Sequence, residues 1–196
     1  MSFVALSQFC LVYFLSDQAS TKRGFECVQG LVNLYDVNPG DASLHVLKGS
    51  HALHGEYFDK FGITCKKDWY KIPSSQHYNF FTSRGCEEAT VLAKAGDLVL
   101  WDSRTMHQGI EPRKGRANPS MRSVVYVCMT ERHRADAKKQ KRHREIFAQG
   151  RTTPHIPHVP RVFGLKPQTY GNLMAPVRTL PPARMTDLTP FARKLV

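Results

Sequence analysis

Gly96–Arg122, GDLVLWDSRTMHQGIEPRKGRANPSMR, is the stretch on which the reading of this chain turns. Leu98, Val99, Leu100 and Trp101 form a short apolar run of the kind that makes a strand, and the polar residues after it deliver His107 into a turn. Residues 109–120 are rich in Pro and Gly and read as a loop, after which Arg122 opens a second strand that continues as SVVYVCM. A histidine therefore stands at the end of one strand and an arginine at the start of the next.

Upstream, short β-rich runs alternate with turn chemistry. Phe25–Tyr35 (FECVQGLVNLY) is followed by the turn Asn38-Pro39-Gly40-Asp41. Ser43–Leu47 alternates apolar and polar residues, as a half-buried antiparallel strand does. Ser50–Phe61 is expected to be a short helix with Ser50 as its N-cap, and 66–88 a long loop holding another short helix. Ala89–Ala93, Asp97–Asp102 and Arg122–Thr130 complete the strands. Many short strands without long alternating helices predict a mainly β fold, an antiparallel jelly roll with flanking helices.

Glu131–Gln149 reads as one charged helix closed by Gly150. The prolines beyond it predict an extended C-terminal tail. The expected organisation is a core over 1–130, a basic helix over 131–150, and a Pro-rich extension over 151–196 packed on that core.

The chain has 196 residues and a formal net charge of +12, unevenly distributed. Residues 1–130 carry fourteen Lys/Arg against twelve Asp/Glu, whereas 131–196 carry fourteen against four. A uniformly basic nucleic-acid-binding domain would not show this asymmetry. The five cysteines are odd in number and lack CxxC spacing, so they read as free thiols of a reducing compartment. That favours the cytoplasm, with the nucleus open. The N-terminal run SFVALSQFCLVYFL lacks the basic region of a signal peptide and is too short to span a bilayer, so buried strands are expected there.

Non-haem Fe(II) sites use two histidines and one carboxylate on one face of the metal. Four segments bear on that chemistry: YFLSDQ (13–18), FECVQGLVNLYDV (25–37), LKGSHALHGEYF (47–58) and GDLVLWDSRTMHQG (96–109). In this order they resemble the phytanoyl-CoA dioxygenase family of Fe(II)/2-oxoglutarate-dependent oxygenases. The resemblance covers about residues 13–130 and implies a double-stranded β-helix, or cupin-like jelly roll. It also implies Asp17 as the carboxylate ligand, His107 as the distal histidine ligand and Arg122 as the residue gripping 2-oxoglutarate. Arg116, in the loop, is the rival for that last role. Gln29, Ser103 and Arg104 would line or brace the pocket.

The chain departs from the family pattern at the position two before Asp17. Leu15 stands where the first histidine belongs, and Lys48 replaces the proline that commonly precedes Gly-Ser-His. An altered or shortened N-terminal part would account for Leu15. His51 and His54, at i and i+3, share a helix side and read as packing residues rather than replacement ligands. His155 and His158 lack the partners a separate zinc site needs.

Three functions compete. The first is an Fe(II)/2-oxoglutarate-dependent dioxygenase hydroxylating a small organic substrate, disabled to whatever degree Leu15 imposes. The second is a non-catalytic barrel that binds a ligand or partner. The third, ranked lowest, is nucleic-acid binding through RHRADAKKQKRHR (132–144), which has seven Lys/Arg but no base-stacking aromatic residue.

Overall fold

A computed structural model describes residues 14–151, 153–162 and 189. The strands expected before Phe14, and most of the C-terminal extension, lie outside the described residues. The chain divides into two compact units between Val127 and Cys128.

The elements of the first unit are β1 (Leu15–Ser16), β2 (Val28–Asn33), β3 (Ser43–Lys48), a 3₁₀ turn (Ser50–Leu53), α1 (His54–Lys60), β4 (Tyr70–Lys71), α2 (Ser75–Thr82), β5 (Glu87–Thr90), β6 (Leu98–Asp102) and β7 (His107–Ile110). β8 (Val124–Met129) ends just past the boundary. Two sheets result, ordered β4-β1-β7-β3-β5 and β6-β2-β8. β1 pairs antiparallel with β4 and β7, β3 with β5 and β7, and β2 with β6. A meander would pair strands adjacent in sequence. Here β1, β2 and β3 change sheet in turn, as do β5, β6, β7 and β8, which is the interleaving of a double-stranded β-helix. The fold class is therefore the expected one, mainly β with few helices.

The five-stranded sheet presents one face to the helices. Phe14, Leu47, Tyr57, Phe58, Ile72, Phe80, Phe81, Cys86 and Met106 form a single buried cluster there. The pleat alternates, so the neighbours of these residues on β1, β3, β4 and β7 turn to the opposite face. In the second sheet, Gly30 is where a side chain cannot be accommodated. A Cβ there would lie 2.6 Å from Leu100 Cδ2 and 3.0 and 3.2 Å from the Val99 and Val127 carbonyl oxygens. The missing side chain lets β6 and β8 close on β2.

Several boundaries differ from expectation for local reasons. His107 does not sit in a turn but begins β7; the turn is completed before it, by the Thr105 amide donating to the Asp102 carbonyl at 2.9 Å. Ser50 is not an N-cap. Its hydroxyl donates to the Leu47 carbonyl (2.6 Å) and accepts from the Met106 amide (2.9 Å), fastening the turn to the sheet, while Gly49 at φ 83° precedes the 3₁₀ turn. The strand after the long loop starts at Val124, not Arg122. In the second unit the expected single helix is broken: a 3₁₀ turn covers Arg132–Arg134 and α3 covers Ala137–Ala148. Ala135 is extended between them, and the Asp136 side chain caps α3 by accepting from the Lys139 amide at 2.8 Å.

The loop rival Arg116 is committed elsewhere. Asp41 accepts from Arg116 Nε (2.5 Å), the Ser120 amide (3.0 Å) and the Asn38 amide (2.9 Å), tying the 38–41 turn to the 109–120 loop. The Ser120 amide foremost, then the Asn38 amide and the Arg116 guanidinium, outweigh burial and hold the Asp41 carboxyl down at about 2. A carboxyl lowered in the folded state stabilises the fold above its ordinary value of 3.8 and loses that contribution as pH falls from 3.8 toward about 2. Asp41→Asn is expected to remove this part of the acid dependence. Urea denaturation followed from about pH 5 to about pH 2 would show a flatter decline in the variant, and an unchanged slope would refute the assignment.

Candidate metal centre

The face of the five-stranded sheet turned away from the aromatic cluster carries the candidate site. Leu15 lies directly opposite His107, and His107 in turn opposite Val46. Directly opposed residues on antiparallel strands project from the same face, so Leu15 and His107 are side-by-side neighbours. Asp17 follows just past the end of β1, its amide donating to the Ser103 carbonyl at 3.1 Å. Its Oδ2 lies 3.4 Å from His107 Nε2, with both side chains largely buried. Two of the three expected ligands therefore converge.

The tautomer of His107 follows from its other nitrogen. Nδ1 is 2.9 Å from the Thr105 carbonyl, which can only accept, so Nδ1 carries a proton and Nε2 is the nitrogen turned to Asp17. A backbone carbonyl fixing one ring nitrogen while the other faces a carboxylate is how metal-ligating histidines are oriented. Asp17 and His107 fit a cation. The third position does not, because the Leu15 side chain is hydrocarbon. Among the described residues no cluster of three or more His, Cys, Asp or Glu could hold a metal ion.

Asp17 is braced from the second sheet. Gln29 Nε2 donates to Asp17 Oδ2 at 2.8 Å, and Trp101 Nε1 donates to Gln29 Oε1 at 2.8 Å. An indole N–H can only donate, so it fixes which way the Gln29 amide points. Gln29 and Trp101 are cross-strand partners on β2 and β6, and the Trp101 ring lies 5.6 Å from the His107 ring. In the sequence Trp101 ends the apolar run and belongs to the GDLVLWDSRTMHQG segment, but nothing there marks it as a support for Asp17. Gln29→Leu is expected to cost about 1–3 kcal/mol, because the half-buried Trp101 indole N–H loses its acceptor and Asp17 loses a donor. Chemical denaturation monitored by tryptophan emission checks this, and a neutral result would show the bridge to be incidental.

The remaining candidates are distributed as follows. Ser103 is fully buried; its hydroxyl donates to Gln18 Oε1 at 2.8 Å and its amide to the Cys27 carbonyl at 3.1 Å. Gln18 Nε2 spans the Lys22 and Gly24 carbonyls at 3.0 and 2.8 Å, so this group closes the turn after β1. Arg104 pairs bidentately with Asp102, through Nε at 3.0 Å and Nη2 at 2.7 Å. Burial raises the Asp102 carboxyl, but the Arg104 contacts prevail and hold it below its usual value. Arg122 is half-buried two residues before β8, next to Ser123, whose carbonyl accepts from the Leu34 amide at 3.0 Å. His54 is buried, donates through Nε2 to the Gln18 carbonyl at 3.2 Å and packs edge-on to Phe58 at 4.9 Å; burial lowers its basicity. His51 is exposed.

No family model matches the chain. It is similar to Ava biosynthesis cluster protein O of Aspergillus versicolor, with 29% identity over 143 residues, covering 69% of this chain and 45% of that protein. It thus spans less than half the length of the curated relative it matches. Among solved structures it is similar to EctD from S. alaskensis with bound Fe, at 16% identity and a TM-score of 0.41, over 60% of this chain and 38% of that one. The same protein with 2-oxoglutarate and 5-hydroxyectoine gives 16% identity and a TM-score of 0.40, over 60% and 37%. Among the described residues no helix is long and apolar enough to cross a membrane.

Proposed function

We propose that this chain is a barrel of the Fe(II)/2-oxoglutarate-dependent dioxygenase type, of the phytanoyl-CoA dioxygenase-like kind, whose reaction is hydroxylation of a small organic substrate. Its metal centre is one donor short because Leu15 occupies the first histidine position. The observation that carries this reading is the convergence of Asp17 and His107 at 3.4 Å, with Leu15 directly opposite His107 on the same face. The interleaved strand order and the ordered sequence motifs support it. Asp17 and His107 would hold Fe(II), and Arg122 would grip 2-oxoglutarate. Gln29 supports Asp17 from behind rather than contacting the co-substrate, and Ser103 supports the turn through Gln18.

A second reading, a non-catalytic barrel binding a ligand or partner, is favoured by Leu15 alone. A nucleic-acid role for 132–144 has less behind it. Arg134, Lys139 and Arg142 pair with acidic neighbours, Glu131, Asp136 and Glu145, and the segment has no Phe, Tyr or Trp.

Anaerobic Fe(II) titration with and without 2-oxoglutarate tests the reading through the metal-to-ligand charge-transfer absorbance. A weak response that Asp17→Ala and His107→Ala abolish is the expected result. A strong response that survives both substitutions would place the metal elsewhere and sink the proposal.

A further inference from the structure

α1 carries a buried histidine where its packing face calls for an apolar side chain. His54, Tyr57 and Phe58 are its buried residues, spaced as one helical stripe, and the two aromatic members belong to the apolar cluster. His54 is 1% exposed, so its imidazole costs stability unless its polar atoms are bonded. Nε2 meets that need by donating to the Gln18 carbonyl at 3.2 Å, and since a carbonyl only accepts, Nε2 is a protonated nitrogen of the ring. Gln18 is the residue after Asp17.

That carbonyl belongs to a peptide unit held at both ends. Its N–H, from Ala19, donates to Asp68 Oδ1 at 3.0 Å, and Lys22 Nζ pairs with the same oxygen at 2.7 Å. On the other side of Asp17, the Asp17 amide donates to the Ser103 carbonyl at 3.1 Å. Planar peptides leave only φ and ψ free, so anchoring the 16–17 and 18–19 planes leaves Asp17 little room to turn its side chain away from His107. Arg23 ties α1 to the same turn from outside, donating to the Gly55 carbonyl at 3.0 Å and pairing with Asp59. An exposed ion pair of that kind holds weakly, and the buried His54 bond is the stronger tie.

We propose that His54 is a positioning residue for the metal centre: through the Gln18 carbonyl it holds the turn that aims the Asp17 carboxylate at His107. This role takes its functional meaning from the metal centre proposed above, but the placement of Asp17 needs no metal. It also explains why an imidazole occupies a stripe position that a leucine would fill without burying a polar atom.

His54→Phe keeps a ring against Phe58 and removes the N–H, while His54→Gln sets an amide N–H at a similar reach. In the metal-free full chain, NMR follows the Asp17 carboxylate carbon, assigned by its loss in Asp17→Asn, together with hydrogen exchange of the Asp17 and Ala19 amides. His54→Phe is expected to shift the Asp17 signal and to speed exchange of both amides by at least roughly 10-fold, with His54→Gln restoring signal and rates to within about 3-fold. An unmoved Asp17 signal in His54→Phe overturns the proposal, whether exchange is unchanged or rises equally along the whole chain. Should His54→Phe fail to fold, His54→Asn, whose shorter amide falls short of the carbonyl, takes its place in the same comparison. In Leu15→His, His54→Phe is expected to weaken Fe(II) binding by about 10-fold, the lower end of what ligand-supporting groups contribute. Undiminished Fe(II) affinity beside a shifted Asp17 signal would overturn the positioning role. A Leu15→His chain that binds no Fe(II) sinks the metal centre instead, and the metal-free signals still decide the placement of Asp17.

Discussion

Leu15→His is expected to produce a strong Fe(II)/2-oxoglutarate charge-transfer band and to tighten Fe(II) binding by more than ~100-fold. The magnitude follows from a lower bound: groups that merely orient a metal ligand are worth about 10–100-fold in affinity, and a direct donor exceeds them. The direction follows from register. Residue 15 pairs with residue 107, so an imidazole at 15 would leave the sheet on the same side as His107, with Cβ atoms roughly 4.5–5.5 Å apart. Asp17 is two residues further along and already within 3.4 Å of His107 Nε2. The supporting groups are in place as well: the Thr105 carbonyl sets the His107 tautomer, and Gln29 and Trp101 hold Asp17. A single side chain thus separates two donors from a two-histidine, one-carboxylate centre. Leu15→Gln, with a weaker donor, should give little of the effect, and adding Asp17→Ala to Leu15→His should remove the band. Equal Fe(II) affinity in Leu15→His and the parent would show that the strand geometry cannot close on a metal, and the binding-module reading would then lead.

What could be read from the sequence depended on element length. β2, β3, β6 and β8 are five or six residues long, enough for periodicity and flanking turns to reveal them. β1 and β4 are two residues each, too short to leave a pattern, yet β1 sets Leu15 opposite His107 and β4 pairs with β1 on its other side. Asp17 and His107 stand out as candidates because each sits in a motif with polar neighbours, Ser16 and Gln18 around one and the Asp-Ser-Arg turn before the other. The Gln29–Trp101 bridge does not, because it depends on which residues of β2 and β6 face each other and on the second sheet lying across from Asp17. Periodicity gives neither. Ser50 misled for a similar reason. A serine before a helix reads as a cap, but here its hydroxyl serves the sheet through Leu47 and Met106. Ser103, expected to line or brace the pocket, donates its hydroxyl to Gln18 in the turn after β1, a pairing that sequence spacing does not reveal.

Tyr57→Ala is expected to destabilise the fold by about 3–5 kcal/mol, and its effect should reach the site. Tyr57 is fully buried, and its ring lies within 6 Å of those of Phe58, Phe61, Tyr70, His77, Phe80 and Phe81. Its hydroxyl sits 2.7 Å from His77 Nδ1 and 3.1 Å from the Tyr70 hydroxyl. Burial pushes the Tyr57 phenol far above its usual range and the His77 imidazole below its own, so the phenol stays protonated and can donate to a neutral imidazole. Tyr57→Phe keeps the ring and loses those bonds, a cost of about 1 kcal/mol. The consequence for the site runs through β4. Tyr70 and Ile72 rest on this cluster and hold β4 against β1, and β1 carries residue 15 and leads into Asp17. A cavity under Tyr70 should therefore loosen the strand that carries residue 15 and leads into Asp17 before the fold itself gives way. In a Leu15→His background, Tyr57→Phe should keep the charge-transfer band, while Tyr57→Ala should weaken it at temperatures where circular dichroism still reports a folded chain. A band that persists until global unfolding would mean that β1 is held by its pairing with β7 and by the Asp17 amide bond to Ser103, independently of the aromatic cluster behind it.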